Sequence, residues 1–181
     1  MNLTKFSEEL SCPAHEEADT KMVYHACNIN YPAEIVIRSI DSDIATLMLG
    51  NMHPLKNDTV AWMLTGTGNN LRYVDLTKIH AELGQLICQS LPEYHAITGC
   101  NFNCAFFRKG KLKPYKTKKF PEYQEAFKNF GTSELIENTD EQQNIFNIIQ
   151  RFICNVYNAS NVIDATQLQM FIDLYAISDV N

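Results

Sequence analysis

The chain has 181 residues, 45% of them apolar, which suits a globular protein with a proper core. No apolar run approaches the length of a membrane span, and six cysteines without a C-x-x-C pair or a regular spacing argue against a disulfide scaffold. The net charge is −6, from 21 acids and 15 bases.

The bases are unevenly placed. Seven of the 15 (Arg108, Lys109, Lys111, Lys113, Lys116, Lys118 and Lys119) fall within 12 residues that hold no acid, so the other 169 residues carry 8 bases against 21 acids, a balance of −13. An acidic body with one basic segment is the charge pattern of a protein that grips an anion at one place. Met1 to Leu10 is polar and charged, unlike a signal peptide, so the expectation is an intracellular protein of the nucleus or cytoplasm. Its thiols are then reduced, and the sequons at Asn2, Asn57 and Asn158 are idle.

In chain order, Ser11-Cys12-Pro13 followed by acids predicts a helix start, and Ala18, Met22, Val23 and Ala26 carry an apolar stripe to about Cys27. After a loop, Ile35-Val36-Ile37 reads as a buried strand of a mixed or parallel sheet. It empties into a turn carrying Asp41 and Asp43, and a second apolar run, Ile44 to Leu49, follows. Open α/β sheets place ligand sites at the carboxyl ends of such strands. Two carboxylates two residues apart repel, so a buried pair needs a counter-charge, commonly a divalent cation; a solvated Asp-Ser-Asp turn is the plain alternative.

Thr59–Thr65 and Leu71–Leu76 predict a hairpin about the turn Gly66 to Asn70, which lacks the third glycine of a phosphate loop. Asp75 or Thr77 then caps a helix to about Ser90 with Ile79, Leu83, Leu86 and Ile87 on one face. Leu91 to Thr98 is a second helix, stopped at Gly99. The chain is helical again from Glu122. Ile145, Ile148, Ile149, Phe152, Ile153 and Val156 define a strong amphipathic helix, with a last one over Ala165 to Ala176.

Three clusters fall at the ends of these elements: Glu16-Glu17-Ala18-Asp19, Asp41-x-Asp43 and Gly99-Cys100-Asn101. Acids in a first helical turn are favoured by the helix dipole in any case. The segments HEEADT (His15 to Thr20), SIDSD (Ser39 to Asp43) and TGCNFNCAFFRKGK (Thr98 to Lys111), taken in this order, resemble the PIN-like nuclease fold in its flap-endonuclease branch. More narrowly, they are similar to the transposon-associated PIN-like proteins of animals, and RFICNVYN (Arg151 to Asn158) also looks like a helix of that family. The resemblance covers about residues 10 to 175.

That resemblance implies an α/β, three-layer domain with a small, mostly parallel sheet and a helical carboxyl-terminal extension: a nuclease-like domain over residues 1–120 and the extension over 121–181. It implies a site for Mg²⁺ or Mn²⁺ that hydrolyses phosphodiester bonds, with Glu17, Asp19, Asp41 and Asp43 as its acids and Asn101 beside them. Magnesium prefers hard oxygen ligands, and two such ions can clamp the attacking water and the leaving oxygen. Two departures weaken the set. Asn101 stands where the family has aspartate and brings no negative charge to a metal. The family's first strand and its acid belong well before the HEEADT helix, so the chain is expected to lack an amino-terminal part, as a truncated copy or a fragment, leaving an apolar sheet edge to be covered.

The basic segment 108–119 has two readings, a solvated lysine loop or a grip on a DNA or RNA backbone without sequence preference. Phe106, Phe107 and Tyr115 are candidates to stack on bases, although the two phenylalanines also suit a core. Asp41-Ser-Asp43-Ile-Ala-Thr46 approximates a phosphatase nucleophile motif, but alanine occupies position 45 and no later lysine and Asp-Asp pair follows in order. His95, Cys100 and Cys104 lack a fourth partner for zinc, and buried thiols are the default there. The functional expectation is a degenerate PIN-like domain, weak or inactive in catalysis. The alternatives are an active nuclease when completed by a missing segment or partner, and a non-catalytic nucleic-acid-binding module.

Overall fold

Three successive β-branched residues, Ile35, Val36 and Ile37, set the first strand, and the computed structural model places it at Glu34–Arg38 (β1), with Ile35 and Ile37 buried and Glu34, Val36 and Arg38 exposed, so only one face of the strand is covered. The structure describes residues 17–53, 55, 58–100, 105–106, 112–117, 120–130 and 139–158, the side chains of 112, 113, 117 and 139 excepted. The chain divides into two compact units, Met1–Gln89 and Ser90–Asn181.

The first unit opens with helix α1, Ala18–Cys27. Its stripe is narrower than expected: Val23 and Ala26 are buried, Met22 is half-buried and Ala18 is exposed. The predicted start at Ser11 to Pro13 lies outside the described residues. After β1, the apolar run forms helix α2, Ser42–Asn51, and turns Ile44, Met48 and Leu49 inward. Strand β2, Val60–Thr65, lies parallel to β1, with Ile35 opposite Ala61 and Ile37 opposite Met63. Strand β3, Arg72–Asp75, pairs antiparallel with β2 through a short 3-10 turn at Gly68–Asn70. The three-stranded sheet, in order β1-β2-β3, is therefore evenly mixed rather than mostly parallel. An α/β architecture is what the chain has.

Gly66 makes the hairpin turn possible. Its φ is +96°, a left-handed value that L residues rarely adopt, and an added Cβ would fall on the carbonyl of Asn70.

Asp75 ends β3 and caps helix α3, Leu76–Leu83, by accepting from the Lys78 N–H at 2.8 Å. Thr77, the other candidate cap, has a different task. Its hydroxyl accepts the Ala61 N–H at 2.8 Å, past the end of the β2–β3 ladder, and so ties α3 to the sheet. The single helix expected to reach Ser90 is broken at Gly84, whose φ of +82° ends α3; α4, Gln85–Gln89, follows. The break changes the buried face. Leu76 and Cys88 are buried, whereas Ile79, Leu83, Leu86 and Ile87 are only half-buried.

In the second unit, α5 (Leu91–Thr98), α6 (Leu112–Thr117), α7 (Pro121–Phe130) and α8 (Thr139–Val156) assemble around aromatic rings. Phe152 meets Phe127 with centroids 5.0 Å apart and Tyr123 at 5.5 Å, both edge to face, the arrangement the ring quadrupoles favour. Tyr94 joins the cluster, and Asn155 Nδ2 donates to Tyr123 Oη at 2.6 Å. Burial pushes the Tyr123 phenol up. Of the stripe expected on α8, Ile145, Ile149, Phe152 and Val156 are buried and Ile148 and Ile153 pack at its margin. The helix expected over Ala165 to Ala176 lies outside the described residues.

Candidate functional site

The site is built at the carboxyl end of β1. Beyond Arg38 the chain leaves the sheet, and Ser39 sends its N–H to Leu64 O at 3.1 Å, keeping the strand end in register. Ser39 Oγ accepts the Asp41 N–H at 3.0 Å. Asp41 is the N-cap of α2: its Oδ1 accepts the Asp43 N–H at 2.9 Å, which satisfies one of the donors a helix start leaves open. The second oxygen of Asp41 takes no hydrogen bond among the described residues. Asp43 lies in the first turn, half-buried, where the helix dipole favours a negative charge. Two of the four expected acids thus stand together at one helix start, at the carboxyl end of a parallel strand.

The other two mark the start of α1. Glu17 is its N-cap residue by backbone conformation, exposed, and makes no capping bond with its side chain. Its carbonyl accepts from Thr20 Oγ1 at 3.0 Å and from the Lys21 N–H at 3.1 Å. Asp19 is half-buried in the first turn. Among the described residues, no three His, Cys, Asp or Glu side chains gather closely enough to hold a metal ion. By chemistry the carboxylates suit Mg²⁺ or Mn²⁺; by position they form two pairs, and Asn101 lies outside the described residues.

Of the basic segment, Arg108, Lys109, Lys111, Lys118 and Lys119 lie outside the described residues, as does the side chain of Lys113. Lys116 is exposed, in the last turn of α6. Two of the aromatic residues considered for base stacking are part of the core instead. Phe106 packs against Phe152 and Tyr157, with centroids 6.5 and 6.0 Å away, and Tyr115 is packed against the same cluster. Phe107 lies outside the described residues.

One feature was not foreseen from sequence. Helices α1 and α2 pack on each other and leave a cavity of about 280 Å³ lined by Thr20, Val23, Tyr24, Cys27, Leu47 and His53, among others. The Val23–Cys27 and Leu47–Asn51 spacings are ordinary helix-face spacings. Only the pairing of the two helices reveals that they share a void. Burial pushes the free Cys27 thiol up to about 11, so it is a poor nucleophile at neutral pH.

No protein-family model matches the chain, and neither a curated protein nor a solved structure does. Among the described residues no helix is long and apolar enough to cross a membrane.

Proposed function

We propose that this chain is a degenerate PIN-like domain, related to divalent-metal-dependent structure-specific nucleases, that keeps weak metal and nucleic-acid binding and little or no hydrolysis. The observation that supports it is the position of Asp41 and Asp43: two carboxylates at the carboxyl end of a parallel strand, where α/β sheets carry their ligand sites. In this reading Asp41 and Asp43 at the start of α2, and Glu17 and Asp19 at the start of α1, are two separate carboxylate pairs offered to Mg²⁺ or Mn²⁺, which is why metal binding is weak, and the lysines of residues 108–119 hold the phosphate backbone. The chemistry such an ion would supply is polarisation of a phosphodiester and a lowered pKa for a coordinated water. The chain's own carboxylates hold it and set its charge. On the resemblance to the family, Asn101 stands where an aspartate is expected and brings no negative charge to a metal, and this is the ground for expecting weak catalysis.

The test is cleavage of single-stranded and flap DNA in Mn²⁺. The unaltered chain should cleave slowly, Asn101→Asp should raise the rate about tenfold, equivalent to 1.36 kcal/mol of transition-state stabilisation, and Asp43→Ala should abolish what remains. Rapid cleavage by the unaltered chain overturns the weak-site reading. Slow cleavage indifferent to both substitutions overturns the nuclease relationship itself.

A further inference from the structure

β1 is an edge strand of the sheet and its outer side is unpaired among the described residues. The ladder fixes which groups face outward. Ala33 O accepts from the Val60 N–H and Ser39 N–H donates to Leu64 O, so the odd-numbered residues of this stretch turn their backbone groups toward β2. Glu34, Val36 and Arg38 therefore present their N–H and C=O groups to the open edge.

The same three residues are the exposed ones, with Val36 at 48%. Their side chains share one face of the sheet with Trp62, the register partner of Val36, and Tyr73, which meets Trp62 edge to face and is itself 64% exposed. The edge is thus bounded by an acid, an apolar residue and a base in alternation. Read in the opposite direction, the order is base, apolar, acid. The strand is complementary to itself.

We infer that β1 pairs with β1 of a second copy of this chain, antiparallel about a twofold axis through Val36. In that register Glu34 lies opposite Arg38 of the second copy, Val36 opposite Val36, and Arg38 opposite Glu34. Each opposed pair exchanges two backbone hydrogen bonds, because in an antiparallel ladder directly opposed residues of the hydrogen-bonded type do so. Two cross-strand ion pairs then flank an apolar strip that runs from Trp62 through both valines to the second Trp62. A twofold interface of this kind needs a self-complementary patch, and the alternation supplies it. The same charges work against other pairings. A parallel in-register partner would set Glu34 against Glu34, and a two-residue slip would leave both ion pairs and the valine contact unmade. A joined edge of five residues makes a small interface, so the dimer is weak and concentration-dependent.

The experiment is sedimentation of the full chain from micromolar to several hundred micromolar, with charge-swapped variants. Wild type should shift from monomer to dimer across that range. Glu34→Arg and Arg38→Glu each replace two attractive pairs by two repulsive ones, and each should raise the dimer dissociation constant by about tenfold or more. The doubly swapped Glu34→Arg/Arg38→Glu chain should dimerise like wild type. An equimolar mixture of the two single variants should form the heterodimer. Val36→Pro, which removes an N–H that the chain's own ladder does not use, should be folded by circular dichroism and monomeric. A wild type that stays monomeric throughout overturns the inference. So does a dimer that all the variants form equally well, because its interface then lies elsewhere. Neither result bears on the cleavage assay, so failure here is distinct from failure of the nuclease reading.

Discussion

Asp41 carries two demands on one side chain. As the N-cap of α2 it accepts the Asp43 N–H through Oδ1, a bond that stabilises a helix start by about 1 kcal/mol in typical cases. As a proposed metal ligand it needs a negative charge, which the cap does not. Sequence alone shows D-x-D after a strand and leaves the two roles fused; the geometry separates them, because asparagine caps as well as aspartate and brings no charge. Cys27 gives a second test at this scale. With its thiol pushed up to about 11, alkylation of Cys27 at pH 8 should run about two hundredfold slower in the folded chain than in the unfolded one, whose thiol titrates near 8.5. The sign for stability follows from burial. The folded state disfavours the thiolate, so the contribution of Cys27 is fully present below the unfolded thiol's range and is lost as pH rises toward about 11. Mass-spectrometric labelling of the Cys27 peptide measures the first. An equal rate in the two states would show that burial does not protect the thiol.

Elements set by strong local signals were legible, and those set by one backbone angle were not. β1 and the hairpin carry runs of strand-forming residues bounded by turns and α8 a period of 3.6, and each element lies where those signals put it, although Val36, expected to be buried with Ile35 and Ile37, is exposed. The helix after β3 reads as continuous because its apolar spacing continues through Gly84; a positive φ there redirects the chain, and no spacing encodes it. The role of Thr77 was hidden for a similar reason, since its partner Ala61 is 16 residues away. At Gly66, alanine must adopt the left-handed region and meet the Asn70 carbonyl, so Gly66→Ala should destabilise the fold by at least about 1 kcal/mol, read as a lowered denaturation midpoint. An unchanged midpoint would mean that the turn rearranges freely. On α8, Phe152 is fully buried among Tyr94, Tyr123 and Phe127, and Phe152→Ala should cost about 3–5 kcal/mol by the same measurement. For the basic segment, changing Lys111, Lys113 and Lys116 together to alanine should flatten the salt dependence of single-stranded DNA binding by about 2 in logarithmic slope. Binding and slope both unchanged would leave these lysines as a solvated loop.

At the scale of the whole molecule, the sheet unit and the aromatic helical unit each have their own buried set. The sequence shows the order of the acidic segments, but order cannot tell how far apart two helix starts come to lie, because that depends on how α1 packs on α2. The acids at those starts are proposed to hold a divalent ion, and the thermal stability of the full chain under Mn²⁺ titration tests this most directly. Binding to the folded state alone stabilises it. Millimolar Mn²⁺ should therefore raise the melting temperature by about 2–4 °C, the shift that about 1 kcal/mol produces in a chain of this size. Asp41→Asn should melt with the unaltered chain in the absence of metal, since the cap is kept, and should lose the response to Mn²⁺. No rise in the unaltered chain, or an equal rise in both, would contradict the metal site.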